Sequence, residues 1–286
     1  MAQLHMRRKI TRSLGGNMVM MFFLLITGVF TALPLIYSVL CAFKPLNELF
    51  LYPPRFFVYK PTWDNFSDLA QLSGDMLVPF ERYLFNSVFT TFIGTAAYIF
   101  IASFAAYPLA KHKFPGRTLL VNIVVWGILF RSEVTAIPQY VIIADLKLID
   151  TFGAVIFPAL ASSFGVFLIR QFMVGIPDDV LEAARIDGLG EIGMFGRIIM
   201  PMIKPAWITL IIFTFQSMWN TTGVQYIYSE NMKMLPIALQ QVSASGLARA
   251  GVGSAVAVIL MLPPIITFLL CQSSVLETMA HSGLKS

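Results

Sequence analysis

Five stretches of this chain, near Met18–Phe43, Tyr83–Ala110, Phe152–Ile169, Ala206–Gln225 and Gly251–Cys271, are apolar and carry no charged side chain. A helix needs about 20 such residues to cross roughly 30 Å of hydrocarbon, so each reads as a membrane span. A sixth stretch, Thr118 to about Ala144, is long enough but contains Arg131 and Glu133. Its uncharged part, Thr118–Phe130, is too short to cross alone, so the stretch reads as a span with a polar outer end. Composition agrees: 57% of the 286 residues are apolar and 12% charged, against roughly a quarter charged in soluble domains. The expected fold is all-α, a polytopic membrane protein with six transmembrane helices and a cytoplasmic loop helix. Residues 1–16 form an N-terminal cytoplasmic segment, 17–276 the membrane domain with a long inner loop at about 170–205, and 277–286 a cytoplasmic tail.

Arg7, Arg8, Lys9 and Arg12 precede the first span, as in a signal peptide. The uncharged run from Ser13 to Phe43 is much longer than a signal core of about 7–15 residues, so it reads as a retained span. With an even number of spans both termini share one side. With the N-terminus inside, 12 of the 20 Lys and Arg fall on inner segments, and the tight turn Lys111–Arg117 weighs most in the positive-inside rule. Both termini are therefore expected in the cytoplasm. The net charge of +5 reflects that placement and gives no reason to expect a nucleic-acid partner. Cys41 and Cys271 lie far apart inside apolar runs and read as packing residues.

No G-x-x-x-x-G-K-[ST] occurs, and no Gly-Lys pair exists, so the chain lacks the phosphate loop of an ATPase. His5, His112 and His281 are isolated. Neither a catalytic constellation nor a metal-ligand set is legible, and no cofactor is expected on this chain.

Two loops are long. The outer one, Lys44–Arg82, contains Tyr52-Pro53-Pro54-Arg55 and Lys60-Pro61-Thr62-Trp63. It suits a solvated loop with interfacial aromatics, a segment resting on the membrane, or a contact for an external partner. In the inner one, Ile176–Gly188 reads as a short helix with Asp179 as N-cap, Glu182 completing a capping box and Gly188 as the stop. Two turns are marginal alone, so packing must hold it. Ala183 and Ala184 offer a small-residue surface, against either the chain's own spans or another protein.

The run Glu182-Ala183-Ala184-Arg185-Ile186-Asp187-Gly188, followed by Phe195, Arg197-Ile198-Ile199, Pro201, Lys204 and Pro205, strongly resembles the EAA loop of membrane subunits of ATP-binding-cassette importers. Asn86-Ser87, Ala106-Tyr107-Pro108, Phe114-Pro115-Gly116-Arg117, Trp219-Asn220, Leu235-Pro236 and the tail Ser282-Gly283-Leu284-Lys285 are similar to the sugar-importing, maltose-type branch. The resemblance covers about residues 10–286. It departs at Arg131, where a proline is usual, at Thr221, where an acidic residue is common, and at Leu189.

What the resemblance implies is a bacterial inner-membrane carbohydrate permease working by alternating access. Its partners would be a second homologous permease subunit, two cytoplasmic ATPase subunits that hold ATP and Mg, and an extracytoplasmic solute-binding protein that delivers the sugar. Asp179, Glu182, Ala183, Ala184, Asp187 and Gly188 would form the element coupled to the ATPase, and His281, Ser282, Gly283 and Lys285 a tail that touches it.

At about 1.5 Å per residue, Arg131 and Asn220 lie roughly 21 Å from the inner face, and Gln216, Ser162 and Ser163 near the midplane. Polar groups at such depth normally face a bundle interior or a watery cavity. Arg131, Glu133, Ser162, Ser163, Gln216, Trp219 and Asn220 are therefore the expected sugar path, with snorkelling or interfacial anchoring the alternative for Arg131, Glu133 and Trp219. An ion-coupled carrier would need buried carboxylates or histidines along the spans, which the other five lack. A scaffold that recruits a soluble protein would show no flux.

Overall fold

The computed structural model of the chain describes residues 14–74, 76–130, 132–244 and 249–282. It is helical, with no strand among those residues. In chain order the α-helices are α1 (Leu14–Ala42), α2 (Leu46–Leu49), α3 (Asp64–Gly74), α4 (Phe80–Lys111), α5 (Arg117–Leu129), α6 (Ser132–Asp145), α7 (Phe152–Leu160) and α8 (Ser163–Val174). There follow α9 (Asp178–Ile186), α10 (Glu191–Met194), α11 (Met200–Met202), α12 (Lys204–Trp219), α13 (Leu235–Ser243) and α14 (Ala250–Ser282). A π-helical turn, Phe195–Ile199, joins α10 to α11.

Among the described residues three helices are each long and apolar enough to cross a membrane: α1, α4 and α14. Three bent pairs meet the same test together: α5 with α6 at 110°, α7 with α8 at 41°, and the α10–α11 segment with α12 at 76°. Counting each pair as one span gives the six expected from the sequence. Two boundaries need correction. The stretch Thr118–Ala144 is not one rod with a polar end but two helices, α5 and α6, set at 110°. The stretch Ala206–Gln225 is helical only to Trp219, and Asn220 ends it ahead of Gly223, whose φ of +66° starts the loop to α13.

The centre of the bundle is α4, which packs on α7, α8 and α12, while α14 packs on α12, α1 and α3. Small and hydroxylated residues on α4 allow this close approach. Ser87, Thr90, Thr91, Gly94, Thr95, Ala102, Ser103 and Ala106 are all buried. By contrast α1 rests on α14, and its apolar residues are otherwise uncovered by the rest of the chain.

Hydrocarbon offers no partner to a backbone group freed by a helix break, and at three places a side chain from another helix supplies one. Between α7 and α8 the hydroxyl of Tyr98, from α4, donates to the carbonyl of Ser162 at 2.9 Å and accepts from the N–H of Gly165 at 2.7 Å. Gly165 is required there: a Cβ would lie 2.5 Å from the Tyr98 hydroxyl and 2.9 Å from Leu210. In α14, Pro264 has no N–H for the carbonyl of Leu260, and the indole N–H of Trp219 donates to it at 2.9 Å. Where α1 ends, the Asn65 amide donates to the carbonyls of Ala42 and Lys44, both at 2.8 Å.

The loop between α1 and α4 is also built from buried polar groups. Lys44 donates to the carbonyl of Arg55 at 2.5 Å, and the Glu48 carboxylate accepts from the N–H groups of Tyr59 and Lys60.

Replacing Tyr98 by Phe orphans one buried carbonyl and one buried N–H, so the purified protein is expected to lose about 2–4 kcal/mol of stability. Gly165→Ala is expected to cost about 1–3 kcal/mol through overpacking. Thermal melts in a fixed detergent check both, and a Tyr98→Phe melt matching wild type would remove the bracket from the account.

Candidate functional site

Arginines and lysines distant in sequence converge on the last turn of α4, where carbonyls have no intrahelical partner. Arg117 Nε and Arg170 Nε both donate to the carbonyl of Leu109, at 3.0 and 3.1 Å, and Arg117 Nη2 donates to that of Ala110 at 3.0 Å. Buried Lys111 reaches the other way. Its ammonium donates to the carbonyl of Ile176 at 2.5 Å and to the carboxylate of Asp178 at 2.7 Å. The helix that follows is thereby tied to the bundle at its first residue.

That helix is α9, and its start differs from the expected capping box. Pro177, extended at φ −60° and ψ 140°, precedes Asp178, and no side chain caps the N-terminus. Asp179 therefore stands inside the first turn, where it and Asp178 oppose the helix dipole as charges. Its role as N-cap, with Glu182 closing a box, is corrected. The proline already fixes the entry, and Asp178 is held by Lys111. The stop at Gly188 holds: with φ at +83°, Gly188 donates to the carbonyl of Arg185 and Leu189 to that of Ala184, each at 3.0 Å. That pair of bonds is the Schellman pattern.

The far end of α9 is tied down by Glu191. Its carboxylate accepts from the Tyr107 hydroxyl at 2.6 Å and from Arg185 at 3.0 Å, and lies 3.3 Å from His112 Nε2. The Tyr107 hydrogen bond, with Arg185 and His112 nearby, holds the Glu191 carboxyl below its ordinary value of 4.5. Lys111 does the same for Asp178, assisted by Lys113 and Arg117.

Between these ties α9 presents two faces. Leu181 and Ala184 are buried in the cluster formed by Tyr107, Met173, Met194 and Phe195, so Ala184 packs on the chain's own bundle and is not the exposed half of an alanine pair. Glu182, Ala183, Arg185, Asp187 and Gly188 face outward, and Ile186 beside them is 86% exposed. An isoleucine left bare on a helix clamped at both ends was not singled out by the sequence. Nor were Lys111, Tyr107, Arg170 and Glu191, whose bonds span up to 84 residues; the basic turn at Lys111–Arg117 was legible only as a topology signal.

The expected sugar path resolves into two separate regions. Gln216 and Asn220 are exposed one turn apart on α12, with the Asn220 amide on the Gln216 carbonyl at 2.9 Å. Trp219 is corrected: it is buried, stacked on Phe215 with ring centroids 6.3 Å apart, and serves the break in α14. Ser162 and Ser163 instead line a groove of about 750 Å³ between α5, α6, α7 and α8. The edge-to-face pair Phe164–Phe213 lies between that groove and α12. Arg131, Gly283 and Lys285 are outside the described residues, as are the side chains of Glu133, His281 and Ser282.

No family model matches the chain. It is 31% identical over 244 residues to Protein LplC of Bacillus subtilis, covering 84% of this chain and 79% of that one. It is 32% identical over 206 residues to the arabinooligosaccharides transport system permease protein AraQ of the same organism, covering 71% and 73%. To the sn-glycerol-3-phosphate transport system permease protein UgpE of Yersinia enterocolitica it is 29% identical, covering 87% and 91%. A chain of a bacterial ABC transporter involved in the import of the acidic polysaccharide alginate superposes with a TM-score of 0.76 at 21% identity, over 93% of this chain and 99% of that one. This last likeness is one of fold.

The carboxylate ties make a pH prediction. A carboxyl whose pKa is lowered by folding stabilises the fold above its unfolded value and loses that contribution as pH falls through the folded one. For Glu191 the loss therefore begins below about 4.5. Wild type is expected to lose more thermal stability between pH 7 and pH 4 than Glu191→Gln does. Parallel melting curves with an equal acid loss would contradict the tie.

Proposed function

The chain belongs to the family of membrane permease subunits of sugar ATP-binding-cassette importers, and from that premise we propose that it forms half of an oligosaccharide path and takes its driving motion through α9. It is a multi-pass inner-membrane protein. In the proposed arrangement both termini and α9 face the cytoplasm, a second homologous permease completes the path, and two ATPase subunits bind ATP and Mg. An extracytoplasmic solute-binding protein delivers the sugar to the opposite face. Gln216 and Asn220 line the path on α12, Ser162 and Ser163 on α8, and the tail near His281 and Lys285 touches the ATPase subunits.

The observation that carries this reading is the clamped helix with its bare face. A short helix held at Asp178 by Lys111 and at Arg185 by Glu191 moves with α4 as one body, so a push on Ala183 and Ile186 reaches the bundle without loss in a flexible loop. A large apolar side chain left exposed beside Ala183 suits a pocket on a partner. Asp179, Glu182 and Asp187 are exposed around it, which suits a rim with basic groups on the partner.

A carrier driven by an ion gradient is the competing mechanism. Flux that depends on a partner's ATP hydrolysis separates the two, and a scaffold gives no flux at all.

Ile186→Asp is expected to leave the chain in the membrane, because the site is exposed in the chain alone, while lowering ATP-driven sugar uptake at least tenfold by placing a charge in a packed contact. Ala184→Asp is expected to fail earlier, at the level of protein yield, because that position is buried in the chain's own core. Uptake by Ile186→Asp equal to wild type would exclude α9 as the coupling element.

A further inference from the structure

The end of α4 carries more positive charge than its carbonyls use. Arg117, the first residue of α5, and Arg170, in the last part of α8, donate through Nε to one and the same oxygen, that of Leu109, at 3.0 and 3.1 Å. Their Nε atoms therefore stand within about 6 Å of each other, a distance at which like charges repel. Arg117 uses Nη2 on the carbonyl of Ala110. Arg117 Nη1 and both Nη groups of Arg170 have no hydrogen bond among the described residues, and neither guanidinium has an ion pair there. Asp178 lies within range of the Arg117 charge, but its carboxylate is bound to Lys111 at 2.7 Å. Together with Thr118 and Val121, the two arginines line a cleft of about 290 Å³.

The level of this cleft in a bilayer follows from α4, which is long and apolar enough to cross a membrane and ends at Lys111. The carbonyls of Leu109 and Ala110 belong to its last turn, so Arg117 and Arg170 stand where hydrocarbon gives way to headgroups. From there α5 and α8 run along each other in opposite directions to a second contact, where Gly127 packs on Ser163. At about 1.5 Å per residue Arg117 and Gly127 are about 15 Å apart, the depth of one leaflet in a hydrocarbon core about 30 Å thick. Val121, Val125 and Ile128 follow Arg117 at helical spacing, and α5 buries none of its 13 residues within the chain.

We propose that Arg117, Arg170 and Thr118 hold the phosphate of an anionic phospholipid, with an acyl chain lying along α5 from Val121 to Ile128. A guanidinium presents paired N–H groups to phosphate oxygens, and two of them side by side match the two non-bridging oxygens of a phosphodiester. The phosphate in turn offsets the repulsion between the two arginines. A choline headgroup would bring a further cation beside Arg117, Arg170 and the exposed Lys113, whereas a glycerol headgroup leaves the lipid negative. The apolar lane selects a lipid over free phosphate, which has nothing to place on Val121 and Val125. This site is separate from the solute path and does not depend on the importer reading.

The test is native mass spectrometry of the full-length protein, purified in mild detergent with the subunits that accompany it. It is titrated with phosphatidylglycerol or with phosphatidylcholine of the same acyl chains, and melting curves with each lipid and with inorganic phosphate run in parallel. The expected result is one phosphatidylglycerol held about tenfold more tightly than phosphatidylcholine. Arg170→Gln is expected to weaken it about tenfold, as for one lost charge-assisted hydrogen bond, and Thr118→Ala about threefold. Because Arg170→Gln also removes a bond to the end of α4, Val121→Trp serves beside it. That variant fills the apolar wall of the cleft and keeps both arginines. It is expected to lose the tight lipid while its melting temperature without lipid stays at the wild-type value. Inorganic phosphate is expected to leave the melting curve unmoved.

Unchanged retention of phosphatidylglycerol in Val121→Trp would overturn the site, even if Arg170→Gln cannot be purified. Stabilisation by inorganic phosphate equal to that by phosphatidylglycerol would overturn the lipid as occupant. Equal affinity for phosphatidylcholine would overturn the requirement for a negative headgroup.

Discussion

Backbone groups inside hydrocarbon have no water to turn to, and that constraint shapes this molecule more than hydrophobic burial does. Three helix pairs are sharply bent, and α14 carries two consecutive prolines in its interior. Several of the carbonyl and N–H groups freed at bends, prolines and helix ends find a partner on another helix. Tyr98 serves the break between α7 and α8, Trp219 the carbonyl opposite Pro264, Asn65 the end of α1, and Arg117 with Arg170 the end of α4. These bonds are also the cross-links of the bundle, because each satisfies one helix by tying it to another. The result is a set of short rigid segments hinged at defined points, a construction suited to rocking around a solute.

The same economy accounts for the end of α4 nearest α9. The basic residues that satisfy the end of α4 lie beside those that hold α9, so α9 shares its anchorage with the central helix of the bundle. Asp178 and Glu191 are ionised partly because of these neighbours, and they fix α9 at its two ends. Its outward face is left to Ala183 and Ile186. A partner that pressed there would move α4 and, through Tyr98, the broken pair α7–α8.

The spans were legible in the sequence because hydropathy reads local composition, and length alone separates a span from a core helix. The breaks were legible only as prolines that interrupt the apolar runs, among them Pro138, Pro158, Pro201, Pro263 and Pro264. Pro158 stands near the bend between α7 and α8, whereas Pro138 lies inside α6 and does not mark where α5 gives way to it. The EAA loop was legible as a resemblance and as a two-turn helix, and Gly188 as its stop. Its start was misread because aspartate followed by Glu182 matches a capping box, whereas Pro177 had already set the backbone. Which face of α9 is bare could not be read either: Leu181 with Ala184 and Ala183 with Ile186 are both apolar pairs at helical spacing. Trp219 looked like an aromatic platform for sugar, and only the position of Pro264 on a helix 31 residues further on shows why its indole is needed where it is.

In the proposed arrangement α9 is the chain's contact with a cytoplasmic ATPase subunit. The most direct measurement is thiol cross-linking in native membranes, with Cys41 and Cys271 replaced and a single cysteine introduced at Ala183 or, for comparison, at Ala184. Ala183→Cys is expected to be joined by a short bis-maleimide to a peripheral ATPase subunit, and Ala184→Cys, buried in the chain's own core, is not. Labelling of Ala183→Cys from outside intact cells, or cross-links to no ATPase at either position, would contradict it.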